Sequence, residues 1–296
     1  MLVLTGYLLS RWGKWPAAFS AALSKFVFAV ALPALLFRLM AGLGRAPAVD
    51  TRLLIAFFGG CLLVFVIGRL VGRYMFRLDG VEQSVFALGG IFANNVLLGL
   101  PIAKVALGEA AIPAVALVLV FNSLLLWTLA TVSVEWARNG ALSVRGFGQA
   151  LKSVLTNPLI VGILAGAPIG LLNVPLPLLL DEPLRLVGES AAPLALIVLG
   201  MGLREYGMRQ GLREGAAIMV IKLLVQPLVV WALALLLQLP RLETQVVVLL
   251  ASMSVGINVY LMAREFRALE GAVATSMVLS TILAAVTTPL VLTLLT

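Results

Sequence analysis

The chain has 296 residues, of which 62% are hydrophobic and only 11% are charged, and its mean hydropathy is +1.12. So few charged residues could not cover the surface of a soluble protein of this length, so the composition predicts an all-α polytopic membrane protein without a separate soluble domain. The net charge of +8 is explained by basic connections on one side of a bilayer, and no nucleic-acid partner is expected.

Residue types that carry much of enzyme chemistry are missing from the sequence. There is no histidine, which excludes His-based metal sites, haem ligation by histidine, Ser-His triads and His proton relays. Cys61 is the single cysteine, so no internal disulfide forms, and it is predicted to be a small core residue. No metal site and no cofactor is predicted.

Ten apolar segments follow one another along the chain, most of them near the roughly 20 residues that span a bilayer. The first, MLVLTGYLLS, has about half that length, so helix 1 is predicted to be short or to have its true start upstream. The longest connection, residues 137–152, is basic and is predicted to be a cytoplasmic linker. The segments are 1–10, 17–41, 51–76, 82–107, 110–136, 153–173, 183–203, 214–239, 244–266 and 271–295.

Lysine and arginine alternate between the two sides of the predicted helix array. The connections after odd-numbered segments, together with the parts of the flanking segments on that side, hold 14 of them, and those after even-numbered segments hold 5 in the same count. Because basic residues stay on the cytoplasmic side, the odd connections are predicted to be cytoplasmic and both termini non-cytoplasmic. The predicted location is the plasma membrane, which is the inner membrane if the source is bacterial.

The two halves of the chain resemble each other. Proline lies within segments 2 and 7 at Pro33 and Pro193, and asparagine lies within segments 4 and 9, 61 and 65 residues later, at Asn94 and Asn258. Five helices per half is an odd number, so the second half enters the membrane from the opposite side, which predicts inverted repeats over 1–136 and 153–296. The alternative is chance similarity among helices rich in Leu, Ala and Pro.

Segments 4 and 9 each contain residues that interrupt a helix, in GGIFANNVLLGLP (89–101) and SMSVGINVYLMA (252–263). Unwound backbone at membrane depth is tolerated only when it is buried in protein or lines a water-filled cavity. Two such breaks in corresponding helices predict a substrate site where they cross, with helix N-termini presented to an anion. The alternative is that the asparagines join helices and the glycines allow close packing. The candidate substrate-binding residues here are Asn94, Asn95, Pro101, Ser254, Gly256 and Asn258.

Other polar residues within the apolar segments extend this candidate site. Lys222 could pair with a substrate carboxylate or extend to the cytoplasmic side, and Gln226 and Asn122 are predicted to border the cavity. Glu189 is a candidate proton or sodium site, or a residue at the outer end of its helix. Arg38 and Lys104 are interpreted as cations near the outer membrane surface.

GIFANNVLLGLPIAKVALG (90–108) resembles the first crossover helix of the auxin efflux carrier family, which includes bacterial malonate-type carriers. Residues 157–203 and LSKFVFAVALPALLFRL (23–39) are similar to the middle and to the second helix of those carriers. The resemblance implies ten helices in two inverted repeats, with helices 4 and 9 broken and crossing. It also implies a scaffold of helices 1, 2, 6 and 7, a moving transport domain of helices 3–5 and 8–10, and a homodimer.

The same resemblance places the family's crossover asparagines at Asn94 or Asn95 and at Asn258, and its crossover proline at Pro101. Helix 1 is shorter here than in the family. The second crossover has SVGIN where a proline is common in relatives, so its break is expected to be softer.

Sequence and resemblance together predict a secondary transporter of small organic anions, malonate-like or auxin-like, that works by alternating access. The candidate coupling ions are Na⁺ and H⁺, since no nucleotide-binding motif is present. The alternatives are a membrane-embedded enzyme, which the missing acid pairs and histidines disfavour, and a receptor or scaffold protein, in which paired helix breaks would have no use.

Overall fold

The structure is a computed structural model, and it describes residues 2–12, 15, 17–42, 49–139, 156, 158–205 and 211–295. Nearly all regular structure in these ranges is helical. In chain order the helices are α1 (Leu2–Trp12), α2 (Ala17–Phe26), α3 (Leu32–Ala41), α4 (Arg52–Met75), α5 (Gly80–Ile91), α6 (Leu100–Leu107), α7 (Ile112–Asn139), α8 (Pro158–Leu171), α9 (Leu178–Glu205), α10 (Leu212–Val220), α11 (Gln226–Leu236), α12 (Arg241–Ala251), α13 (Ile257–Phe266) and α14 (Glu270–Leu295).

Several of these helices are long and apolar enough to cross a membrane. Four candidate spans meet both criteria within the described ranges, at Ala18–Arg38, Arg52–Met75, Leu212–Leu236 and Glu270–Leu295. Two of them contain a π-helical turn, at Val27–Ala31 and at Ile221–Val225, each followed at once by a helix with proline in its first turn. Leucine side chains lie exposed on these spans, as expected for surfaces that face lipid.

The chain divides into two compact units, Met1–Ala48 with Lys152–Glu205 and Val49–Leu151 with Tyr206–Thr296. Each unit therefore takes helices from both halves of the sequence, and this is the division that the family resemblance implies. The predicted linker, residues 137–152, lies largely outside the described residues. The prediction of two sequential repeats is not tested by this division.

The first unit is held together by close contact between α3 and α8. Gly162, Gly166 and Gly170 lie four residues apart on α8, and a Cβ on each would stand only 2.6, 2.2 and 2.1 Å from a backbone carbonyl oxygen of α3 or its first turn. Only glycine lets the two backbones approach this closely, as is common where membrane helices pack. Arg38 of α3 is paired with Asp181 of α9 in the same unit.

The second unit contains the two interrupted helices. Residues 92–94 separate α5 from a π-helical turn, Asn95–Gly99, that leads into α6, and residues 252–256 separate α12 from α13. α5 begins with a capping box in which Asp79 accepts from the Val81 and Glu82 N–H groups and Glu82 accepts from the Asp79 N–H. Helices α10 and α11 contact α5, α12, α4 and α14, so they lie beside both breaks.

The break in segment 9 is complete, and the expectation that it would be softer without proline is wrong. No helical turn covers residues 252–256, whereas three residues, 92–94, lie between α5 and the next turn. Pro101 is the second residue of α6 and follows the π-helical turn Asn95–Gly99, so it lies after the break and not within it. Backbone pairing between the two breaks, rather than proline, is what replaces the lost helical hydrogen bonds.

Candidate functional site

The two breaks pair with each other as a short antiparallel bridge. Ala93 lies opposite Val255, the Asn94 N–H donates to the Ser254 carbonyl at 2.8 Å, and the Gly256 N–H donates to the Phe92 carbonyl at 2.8 Å. The Val255 N–H is satisfied by Ser280 Oγ of α14 at 3.0 Å. Because buried backbone groups must be paired, these bonds allow two helices to open in the same place.

Gly256 belongs to this bridge for a steric reason. A Cβ at Gly256 would lie 3.0 Å from the Ala93 carbonyl oxygen, so a larger residue would press against the partner strand. Gly89 and Gly90 lie close to the break in sequence, but they do not form it. They lie within α5, where a Cβ on either would approach Ile218 or Ile221 to 2.7 Å. They let α10 and its π-helical turn pack closely on α5.

The carbonyl ends of both interrupted helices are held by one neighbouring helix. Lys222 Nζ donates to the Ala251 carbonyl, the last residue of α12, at 2.5 Å. Gln226 Nε2 donates to the Ile91 carbonyl, the last residue of α5, at 2.9 Å. Both side chains are fully buried. Each donates to the carbonyl group at the end of a helix, where the helix itself offers no N–H group to bond it.

Lys222 therefore does not extend along its helix to water, and the snorkelling alternative does not hold. Its ammonium group lies at the C-terminus of α12, where the helix dipole is negative and a cation is stabilised. Gln226 Nε2 also approaches Sγ of Cys61 at 3.4 Å, and Cys61 is buried as predicted. The π-helical turn Ile221–Val225 lies between these two donors, and such turns are frequent at functional sites.

Several predicted site residues carry buried polar atoms without a hydrogen-bond partner in the described part of the protein. They are Nδ2 of Asn94, both side-chain polar atoms of Asn95, Oδ1 of Asn122, Oε1 of Gln226 and Oγ of Ser254. A buried polar group left unpaired costs about 1–3 kcal/mol, so native proteins hold few of them. Three of these side chains, those of Asn94, Asn95 and Ser254, belong to the crossover itself.

The remaining predicted residues lie at varying distances from this group. Asn258 is in the first turn of α13 and is partly exposed, and Pro101 is partly exposed at the start of α6. Asn122 is buried on α7, a helix that packs against α5 and α12. Within the described residues, no hydrogen bond joins the Asn122 side chain to Asn94 or Asn95.

Glu189 belongs to the first unit and not to the unit that holds the crossover. Its carboxylate is exposed and pairs with Arg185 of the same helix at 2.9 Å. Lys104 is exposed and pairs with Glu109 at 3.0 Å. Arg38 donates to the Asp181 carboxylate from both Nε and Nη2. Each of these charges has its partner within its own unit.

Sequence reasoning missed Ser280, which accepts the Val255 N–H. The signal in the sequence was a pair of serines four residues apart, Ser276 and Ser280, in a largely apolar helix that also holds several threonines. It also missed the carbonyl partners of Lys222 and Gln226, because the position of a carbonyl group leaves no mark in the sequence.

Comparison with known proteins shows which family this chain belongs to. A family model described as "Membrane transport protein" matches residues 1–292. The chain is 26% identical over 289 residues to a Rhizobium meliloti (strain 1021) protein named "Putative malonate transporter", covering 97% of this chain and 90% of that protein. It is 24% identical over 265 residues to an uncharacterized transporter of Methanocaldococcus jannaschii, covering 86% and 82%.

Both relatives are named as transporters, and the family resemblance that the motifs indicate is confirmed. The match includes both interrupted helices and both compact units. The chain therefore belongs to the membrane transport protein family.

Proposed function

We propose that the protein is a secondary transporter of small organic anions, with the substrate bound at the crossover of the two interrupted helices. The observation that carries this proposal is the group of buried, unpartnered polar atoms of Asn94, Asn95 and Ser254 beside the paired backbone. A protein tolerates such atoms where a ligand or water satisfies them. The breaks themselves are well paired, so the polar side chains are not needed to stabilise them.

The chemistry of the crossover suits a carboxylate. Asn94 and Asn95 each have an amide N–H₂ without a partner, and Ser254 has a hydroxyl that can donate. The helices that leave the crossover begin at Asn95 and at Ile257, and their first N–H groups have no acceptor within the helix. These donors and positive dipole ends favour an anion.

Lys222 adds a positive charge without contacting the substrate. Its ammonium group is hydrogen-bonded to the Ala251 carbonyl, and within the described residues it forms no ion pair with a carboxylate. In a medium of low dielectric constant an unneutralised cation raises the affinity of the neighbourhood for anions. In this proposal Lys222 Nζ and Gln226 Nε2 hold the breaks open, and the asparagines and Ser254 bind the first carboxylate of the substrate.

We further propose ten membrane helices arranged as two inverted five-helix repeats, with alternating access as the mechanism. The unit that holds the crossover would move the substrate, and the unit of α1–α3, α8 and α9 would be the scaffold and the surface of a homodimer. Both termini would be non-cytoplasmic. Na⁺ and H⁺ are the candidate coupling ions, with Glu189 as a candidate ion site.

The named relative narrows the substrate class. Since one relative is named as a malonate transporter, a short dicarboxylate is the first substrate to test, followed by monocarboxylates and indole carboxylates. The side-chain amide oxygens Oδ1 of Asn122 and Oε1 of Gln226 accept no hydrogen bond within the described residues. They would bind a second, protonated or hydroxylated end of the substrate more readily than a second carboxylate.

The test is transport by purified protein in liposomes on a solid-supported membrane, with mono- and dicarboxylates applied under sodium and pH gradients. A saturable current for one acid, lost in Asn258→Ala, is the expected result, and its response to each gradient identifies the coupling ion. If no current is seen, radiolabel counterflow tests electroneutral exchange. Failure of both would contradict the carboxylate assignment.

A further inference from the structure

A second polar cluster lies away from the crossover, where α4, α5 and α7 meet. Arg69 of α4 donates from Nη1 to Ser84 Oγ of α5 at 3.2 Å and to Ser133 Oγ of α7 at 2.5 Å. The two serine oxygens lie 2.8 Å apart. Gly68 makes this possible, because a Cβ there would lie 2.8 Å from Cα of Ala87 on α5.

Each hydroxyl proton of the two serines already has an acceptor. The Ser84 hydroxyl donates to the Gly80 carbonyl at 2.8 Å, so the Ser133 hydroxyl is the donor between the two serines. Both serines are buried, and Nη1 of Arg69 supplies its two protons to them. The Nε and Nη2 protons, which form the other edge of the guanidinium group, are not used by these contacts.

Three other arginines show what this edge binds in the same protein. Arg38, Arg52 and Arg185 each place Nε and Nη2 against the carboxylate of Asp181, Asp50 or Glu182. This fork-to-fork geometry is the preferred arrangement between arginine and a carboxylate or phosphate. Among the described residues, no carboxylate lies within ion-pair distance of Arg69.

The position of Arg69 makes an uncompensated charge costly. It lies six residues before the end of the span Arg52–Met75, which is about 9 Å along the helix axis. Its serine partner Ser84 is near the N-terminus of α5, the positive end of that helix dipole. A cation within a membrane span, beside a positive helix end, is unfavourable unless an anion accompanies it.

We propose that the Nε/Nη2 edge of Arg69, held in place by Ser84 and Ser133, is a binding site for a small oxyanion, either a carboxylate or a phosphate group. The two serines fix the guanidinium plane, and partial exposure of Arg69 gives the ligand access. The ligand is either a soluble organic acid or the headgroup of an anionic lipid. In the first case Arg69 forms a second anion site, separate from the crossover. The inference does not require the crossover to bind anything.

The test uses the full-length protein in an uncharged detergent and measures its melting temperature against malonate and inorganic phosphate at constant ionic strength. The measurement is made in an Asn94→Ala background, which removes the crossover contribution. A remaining anion-dependent rise in melting temperature is expected. Arg69→Gln should raise the apparent Kd of that rise by about tenfold or more, because a charged bidentate contact contributes roughly 1.5–3 kcal/mol.

Arg73→Gln is the matched control, since Arg73 lies one turn further along α4, is exposed and contacts only the Tyr74 ring among the interactions seen here. A parallel arm compares nanodiscs of phosphatidylcholine with nanodiscs that also contain phosphatidylglycerol. Loss of the response to malonate and phosphate in Arg69→Gln identifies a soluble acid as the ligand. Loss of the phosphatidylglycerol effect alone identifies a lipid headgroup.

If Arg69→Gln cannot be purified, Arg69→Lys keeps the charge but loses the planar fork, and it should also weaken the response. The proposal is overturned if the Arg69 variants and Arg73→Gln behave alike in both arms. Equal responses of the wild type and Asn94→Ala, both abolished by Arg69→Gln, would contradict the crossover proposal but support this one.

Discussion

Polar side chains are satisfied in the first unit at Arg38 and Asp181, whereas several at the paired breaks of the second unit are not. Arg38 and Asp181 satisfy each other through two hydrogen bonds, and each side chain keeps about a third or less of its surface exposed, 35% and 27%. At the paired breaks of the second unit, two backbone hydrogen bonds join the two segments, but polar atoms of the Asn94, Asn95 and Ser254 side chains have no partner. Most buried polar groups in folded proteins have a partner, and this is why the proposal places the substrate beside Asn94, Asn95 and Ser254.

The largest expected effect comes from removing the asparagine beside each of the two breaks. Asn94→Ala and Asn258→Ala are expected to abolish transport while leaving insertion and folding largely intact, because no backbone bond of the crossover uses either side chain. Initial transport rates in liposomes, together with size-exclusion profiles, measure both properties. Normal transport by either variant would remove that asparagine from the site.

Ser254 offers a sharper comparison, since the same unit holds a serine of equal burial whose hydroxyl is satisfied. Ser254→Ala should weaken substrate binding by about tenfold, the effect of losing one hydrogen bond to a charged group. Ser276→Ala is the matched control, because Ser276 Oγ bonds the Val273 carbonyl of its own helix. Equal substrate affinity in the two variants would exclude Ser254 as a ligand.

Variants of Lys222 test whether this side chain stabilises the break or binds the substrate. Lys222→Met leaves the Ala251 carbonyl without its partner, which should destabilise the fold by about 1–3 kcal/mol and lower the melting temperature. Lys104→Met, in the same unit but exposed and paired with Glu109, should change stability by about 1 kcal/mol or less. If Lys222→Met kept its melting temperature but lost affinity for the substrate, Lys222 would be a direct ligand.

Gln226 should show the same behaviour on a smaller scale. Gln226→Met keeps the length of the side chain but removes the donor to the Ile91 carbonyl, and a loss of about 1 kcal/mol is expected because the contact is between neutral groups. Thermal unfolding measures it. A double variant with Lys222→Met should lose less stability than the sum of the two single variants, because the π-helical turn positions both donors together and losing one already weakens the other; simple additivity would show independent contacts.

The smallest effect is expected in the first unit. Arg38→Gln should lower stability by about 1 kcal/mol or less, since the pair is partly exposed, and it should leave the affinity for substrate unchanged. The Michaelis constant for transport and the melting temperature check the two parts. A Michaelis constant that rises with Arg38→Gln would show that this pair takes part in substrate binding after all.

Much of the helical architecture could be predicted from hydropathy alone. Residues 17–41 and 51–76 were predicted as helical segments, and helices or helical turns are found over 17–41 and 52–75. The positions of both breaks could also be predicted, because Asn, Gly, Ser and Pro oppose helix formation in an apolar segment. These are local properties, and the sequence carries them residue by residue.

What holds the breaks could not be predicted, because it depends on packing between distant segments. The Arg38–Asp181 pair joins residues 143 positions apart, and Gln226 reaches a carbonyl group 135 positions away. The expectation of a softer second break failed for the same reason. It relied on a missing proline, whereas the break is stabilised by the backbone of Phe92 and Asn94.

The most direct test of the crossover as the binding site is equilibrium binding of malonate to purified protein by isothermal titration calorimetry. Wild type, Ser254→Ala, Asn94→Ala and the control Ser276→Ala would be compared under identical conditions. Saturable binding in wild type and Ser276→Ala that is at least about tenfold weaker in the other two variants is the expected result. Binding of equal affinity in all four proteins would place the substrate elsewhere.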